Sequence, residues 1–171
     1  VWLAVPNGWA AVDLSKVKVD QAINRFRLKG VSSSATKSAL NELSQRHALF
    51  AADLASAVRS PHEFATSANA YCSPTAVAPD ASSLPALKAV LRAQYAQIDA
   101  HVLTLRDATV DGDVGIRSEF TLTSASGVTL TDTQYIVLTK SSHACTITLS
   151  SDNPRPFQRI FRKIGSTIRV S

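Results

Sequence analysis

The chain has 171 residues, 45% of them hydrophobic and 18% charged, with a net charge of +5 from 18 basic and 13 acidic residues. That balance excludes a disordered chain, and no apolar run approaches the roughly 20 residues of a membrane helix. The mild positive charge favours lipid headgroups, acidic glycans or acidic protein patches as contacts, whereas an aromatic content of 6% argues against nucleic acid.

Val1–Val5 reads as a strand closed by the turn Pro6-Asn7-Gly8, and Trp9–Leu14 as its partner in an amino-terminal hairpin. Lys16–Lys29 is expected to be helical, with Val19, Ile23, Phe26 and Leu28 inward and Gly30 as a left-handed stop. A long helix should then run from Ser33 or Ser34 to Ser60-Pro61. Leu40, Leu43, His47, Phe50, Leu54 and Val58 recur there at three- and four-residue spacing in an alanine-rich background. Phe64–Cys72 is a short polar strand and Ser73–Ser83 a loop. The next helix starts at Ser83-Leu84-Pro85 and carries Leu84, Leu87, Leu91 and Ile98 on one side.

Four strands follow, at about His101–Thr109, Val114–Thr123, Val128–Thr139 and His143–Ser150. Asp111-Gly112, Ser124–Gly127 and Lys140–Ser142 turn the chain between them. Val114, Ile116, Phe120 and Leu122 share one face of their strand, as do Cys145, Ile147 and Leu149 of theirs. Polar alternates predict a sheet covered on one side, and short turns predict antiparallel neighbours. A last helix is bounded by Asn153 as N-cap, Pro154 in its first turn and Gly165 at its end, with Phe157, Ile160, Phe161 and Ile164 as its apolar stripe. Thr167–Val170 closes the chain as a strand. There is no repeat or linker, so one α+β domain over residues 1–171 is expected, with an antiparallel sheet of about six to seven strands and helices packed on it.

Two segments carry a family resemblance: Leu3-Ala4-Val5-Pro6-Asn7-Gly8-Trp9, and Tyr135 to Val170 with its Thr-rich strand and Phe/Ile-faced helix. This pattern resembles the PsbP-like α/β/α sandwich superfamily, named for the extrinsic photosystem II protein, and is most similar to its actinobacterial LpqN-like lipoproteins. The resemblance implies a fold and an extracytoplasmic compartment. Members are mostly binding or assembly proteins without a shared active site, so it implies no residue-level chemistry. The chain also lacks methionine. The expectation is therefore that whatever preceded Val1, a targeting signal included, has been removed.

Candidate chemistry is sparse. Cys72 and Cys145 are the two cysteines, with no zinc-type spacing. Their even number suits a disulfide, while two buried thiols packing as small hydrophobes is the alternative. His143 and Cys145 fall on one strand face, where a Cys–His dyad is conceivable, but a loop-edge His beside a packed Cys is the simpler reading. His47 belongs to the apolar stripe of the long helix and is expected in the core. Asp111 and Asp113 are ordinary turn residues. No nucleophile elbow or phosphate loop is present, and neither cofactor nor metal is expected.

The most suggestive surface feature is basic. Arg155, Arg159 and Arg162 share a helix side opposite the Phe/Ile stripe, Lys163 and Arg169 join them, and no acidic residue follows Asp152. This is either a solvated helix face or a contact for an anionic partner. A second basic group, Lys16, Lys18, Arg25, Arg27 and Lys29, merges with it only if both helices lie in one layer. The expected function is a non-enzymatic, exported binding or accessory domain at the bacterial cell envelope, with a protein, lipid or glycan as partner. An assembly scaffold is the second reading, and an unfamiliar hydrolase the third. A pocket lined by His and Asp would favour the last.

Overall fold

The computed structural model of the chain describes residues 1–25, 34–123 and 127–170. In chain order its elements are β1 (Ala10–Asp13), α1 (Val19–Arg25), α2 (Ser34–Gln45), β2 (Leu49–Asp53), α3 (Leu54–Arg59), β3 (Thr66–Pro74), α4 (Leu84–Gln97), β4 (His101–Val110), β5 (Asp113–Thr123), β6 (Thr129–Thr139), β7 (His143–Ser151) and α5 (Pro154–Gly165). Among the described residues, seven strands form one antiparallel sheet in the order β1-β2-β3-β7-β6-β5-β4.

The four alternating segments form β4 to β7 as a meander. Asp111 and Gly112 both have positive φ, +56° and +84°, which is the two-residue turn that matches strand twist. The Ser124–Gly127 turn falls partly outside the described residues. Register explains why one-sided covering is not what forms. Ile116 pairs with Ile136, which pairs with Thr146, so the apolar stripe of β5 faces away from that of β7. Each stripe then needs its own helical layer. Cys145, Ile147 and Leu149 join Tyr135 and Val137 beneath Phe157, Phe161 and Ile164 of α5. On the opposite face, Leu84, Leu91 and Tyr95 of α4 cover Ile116, Phe120 and Ile136, while Ala22 of α1 and Leu40 and Leu43 of α2 cover Val12 and Phe50. The result is an α/β/α sandwich.

The expected long helix is broken. α2 ends at Gln45 and β2 occupies Leu49–Asp53, between β1 and β3. His47 stands at the left-handed position of the stop with φ +54°. The His47 amide donates to the Ser44 carbonyl and the Ala48 amide to the Leu43 carbonyl, a Schellman arrangement without its usual glycine. His47 is consequently exposed and not a core residue.

The amino-terminal hairpin is also replaced. The turn forms, with the Trp9 amide bonded to the Pro6 carbonyl and Gly8 at φ +91°. But β1 pairs with β2, and of the two terminal segments only Trp2 and Arg169 make a bridge, exchanging 2.8 Å backbone hydrogen bonds. Ile98 is 51% exposed, and Tyr95 takes the buried place expected for it on α4. α1 is described over Val19–Arg25 alone; the expected positions Phe26, Leu28, Gly30 and Ser33 lie outside the described residues. Asn153 stands at the N-cap of α5 without a side-chain capping bond. Gly165 ends that helix, where a Cβ would collide with the Tyr135 hydroxyl.

Candidate functional site

Two groups of polar and charged side chains lie on opposite faces of the sheet. The first is the outer side of α5. Burial of Phe157, Phe161 and Ile164 fixes the helix rotation, so Arg155, Arg159, Arg162 and Lys163 are all exposed. Among the described residues, none of the four is in an ion pair. Arg169, beyond the carboxyl end of α5, is engaged elsewhere, its Nε lying 3.5 Å from Asp111 Oδ1. Beside Arg169 on the bridge, Trp2 is 57% exposed, whereas Val1 and Leu3 pack on the core. α1 lies on the other face of the sheet, so Lys16 and Lys18 do not merge with this cluster; Arg27 and Lys29 lie outside the described residues.

The second surface is a polar strip of the sheet on the α2/α4 face. The two apolar clusters there stop at Phe50 of β2 and Ile136 of β6. The strands between, β3 and β7, present Asn69, Tyr71, Thr146 and Thr148 to this face, all partly buried. Arg46 at the end of α2 lies 5.0 Å from the Tyr71 ring centroid and donates to its hydroxyl at 3.2 Å. On the α4 side, Tyr95 donates to Gln134 Oε1 at 2.8 Å, and Gln134 Nε2 donates to Thr148 Oγ1 at 3.1 Å.

Two residues before Gln134 on the same face of β6, between Phe120 of β5 and Ser150 of β7, Asp132 is 6% exposed. Burial raises its pKa from the usual 3.8 to about 6, against the opposing effect of a hydrogen bond from Ser150, and its Oδ1 has no hydrogen-bond partner. The folded state therefore holds a proton that the unfolded chain releases between about pH 4 and 6. This group's contribution to stability is fully present below pH 4 and is lost as pH rises through 6, by up to roughly 3 kcal/mol. Asp132→Asn should flatten that slope and stabilise the protein at pH 7. Urea midpoints that fall equally in both proteins between pH 4 and 7 would show that Asp132 is not the source.

Cys72 and Cys145 are disulfide-bonded across β3 and β7, which removes the thiol that a Cys–His dyad needs. His143 Nδ1 lies 2.8 Å from the Ser141 carbonyl oxygen. Asp111 serves its turn and accepts from the Val170 amide at 3.3 Å. Among the described residues no three His, Cys, Asp or Glu side chains lie together as metal ligands. A hollow of about 250 Å³ between Leu3, Val5 and β1–β3 is apolar apart from Asp13. Another of about 240 Å³ holds a hydrogen-bonded Ser60–Asp152 pair beside Arg59, and no His lines it. No helix among the described residues is long and apolar enough to cross a membrane.

Searched against known proteins, the chain matches no family model and no curated relative. Solved structures do match. Cyanobacterial PsbP from Synechocystis aligns over 99% of this chain and 85% of its own, with 18% identity and a TM-score of 0.58. The fold is PsbP-like. A protein of unknown function from Pseudomonas aeruginosa aligns over 61% of this chain and 74% of its own, at 14% identity and a TM-score of 0.47. At 18% identity the likeness to cyanobacterial PsbP extends to the fold and not to any side chain of the two surfaces.

Proposed function

We propose that the chain is a single, exported, non-enzymatic binding or accessory domain at the bacterial cell envelope, akin to the LpqN-like lipoproteins, and that it meets an anionic surface through Arg155, Arg159, Arg162 and Lys163. The observation that carries this reading is the rotation of α5, with Phe157, Phe161 and Ile164 buried and four cations outward. The disulfide supports export, because thiols stay reduced in most cytosols. The PsbP-like fold supports an accessory role.

Among anionic surfaces, Trp2 favours lipid. Its exposed indole stands beside Arg169, and an amphipathic ring of this kind suits the headgroup region. Each cation near such a surface contributes about 1 kcal/mol. Arg155→Glu with Arg159→Glu should therefore weaken sedimentation with phosphatidylglycerol vesicles at least about tenfold at low salt, and less at high salt. Phosphatidylcholine vesicles should bind neither protein. If the doubly reversed protein sediments with anionic vesicles as the original does, α5 is a solvated face. Retention on an acidic glycan resin but not on vesicles would move the partner to glycan.

A further inference from the structure

We propose that the hollow of about 250 Å³ between Leu3, Val5 and strands β1 to β3 is a binding site for a single alkyl chain of about ten carbons, that of a fatty acid or a lipid. It carries the lipid reading to a second place on the molecule and does not rest on the arginines of α5, so either can fail without the other.

The hollow follows from residue size. Register sets Ala11, Ala51 and Ala68 side by side on the sheet face that carries Leu149 beneath α5. Their methyl groups make a shallow floor. Among the described residues, the cluster under α5 takes in β3, β6 and β7 but no side chain of β1 or β2. Over those two strands stand Leu3 and Val5 instead, on the segment that the Trp2–Arg169 bridge fastens. Protein interiors seldom leave a void of this size, and Ala11, at the sheet edge, is exposed, so the hollow reaches solvent there.

The lining selects the occupant. Leu3, Val5 and Leu49 are aliphatic, and among the described residues Asp13 is the one polar side chain on the wall. Its Oδ1 accepts from the Ser15 amide at 3.0 Å and its Oδ2 lies 3.0 Å from Lys16 Nζ. Both partners are exposed, so this carboxylate is turned to the solvent side. A peptide or a sugar inside the hollow would bring polar atoms that find no partner among these side chains, a cost that a hydrocarbon chain does not carry. Asp13 and Lys16 mark the wet end, where a polar headgroup stays in water. An apolar cavity of about 150 Å³ takes up benzene, so this larger one has room for about ten carbons in a chain.

The test is a titration of the ¹⁵N-labelled protein, followed by amide shifts, with octanoyl, decanoyl and dodecanoyl chains below their micelle-forming concentrations. Each chain is offered as the free fatty acid and as the lysophosphatidylglycerol. The decanoyl chain, in at least one of the two forms, should shift the amides of Leu3, Ala11, Leu49 and Ala51 saturably, and the form that binds names the source. The octanoyl chain should bind about tenfold more weakly for its missing methylenes, and the dodecanoyl chain should gain little, because the hollow is already full. Ala51→Leu, which fills the hollow, should abolish the shifts. Should this variant fold poorly, Ala11→Leu, at the exposed edge, is expected to do the same. The proposal is overturned if neither form moves these amides, if the shifts map to α5, if chain length makes no difference, or if a folded Ala11→Leu protein binds as the original does. Shifts of the same amides on concentrating the free protein would give the hollow to a second copy and overturn it as well.

Discussion

Phe161→Ala should lower the free energy of unfolding by about 3–5 kcal/mol, the cost of lost burial plus the cavity left behind. The ring is 5% exposed, lies 6.3 Å from that of Phe157 and packs in the cluster with Ile147, Leu149 and Val137. Among the described residues α5 is the helix that covers this face of β6 and β7, so no other helix closes over the hole. For a domain with typical stability of about 5–15 kcal/mol, such a loss brings partial unfolding within reach of physiological temperature. Arg159→Ala, on the outer side of the same helix, should stay within about 0.5 kcal/mol. Urea denaturation of the two variants separates the faces of α5. Equal midpoints would mean that the helix is not docked through Phe161.

The same contrast explains what the residues disclose unaided. The alternations of β5 and β7 and the punctuated stripe of α5 are local patterns, and each forms where expected. β2 does not announce itself, because Leu49–Asp53 sits in an alanine-rich stretch whose apolar spacing also fits a helix. Pairing with β1 and β3 outweighs that propensity, and the break is made by His47 where a glycine would have marked it. The Trp2–Arg169 bridge joins the two ends of the chain, which no window of sequence can show.

For the surfaces, the arginines of α5 are legible from helical spacing alone. The polar strip is not. Asn69, Thr146 and Thr148 read as ordinary solvent-facing alternates until strand order sets β3 beside β7 between two helical banks. Asp132 carries no sequence signal at all, because its burial arises from its place in β6 beside Phe120 of β5 and Ser150 of β7.

That strand order also sets the largest effect of a covalent change. β3 and β7 are sequence-distant neighbours at the seam where β1-β2-β3 meets the β7-β6-β5-β4 meander. The Cys72–Cys145 bond crosses this seam between directly paired residues 73 positions apart, and Cys145 is fully buried. In the chain-entropy account, closing a loop of that length removes roughly 4 kcal/mol of disorder from the unfolded ensemble. The double variant Cys72→Ala, Cys145→Ala should therefore unfold at a clearly lower urea concentration than the oxidised protein. Its m-value should rise slightly, because the unlinked chain exposes more surface when unfolded. Alkylation of the denatured, unreduced protein should find no thiol before reduction and two after it. Two thiols in protein taken directly from its native cells would remove the support for export, and a double variant as stable as the oxidised protein would show that pairing of β3 with β7 holds the seam without the bond.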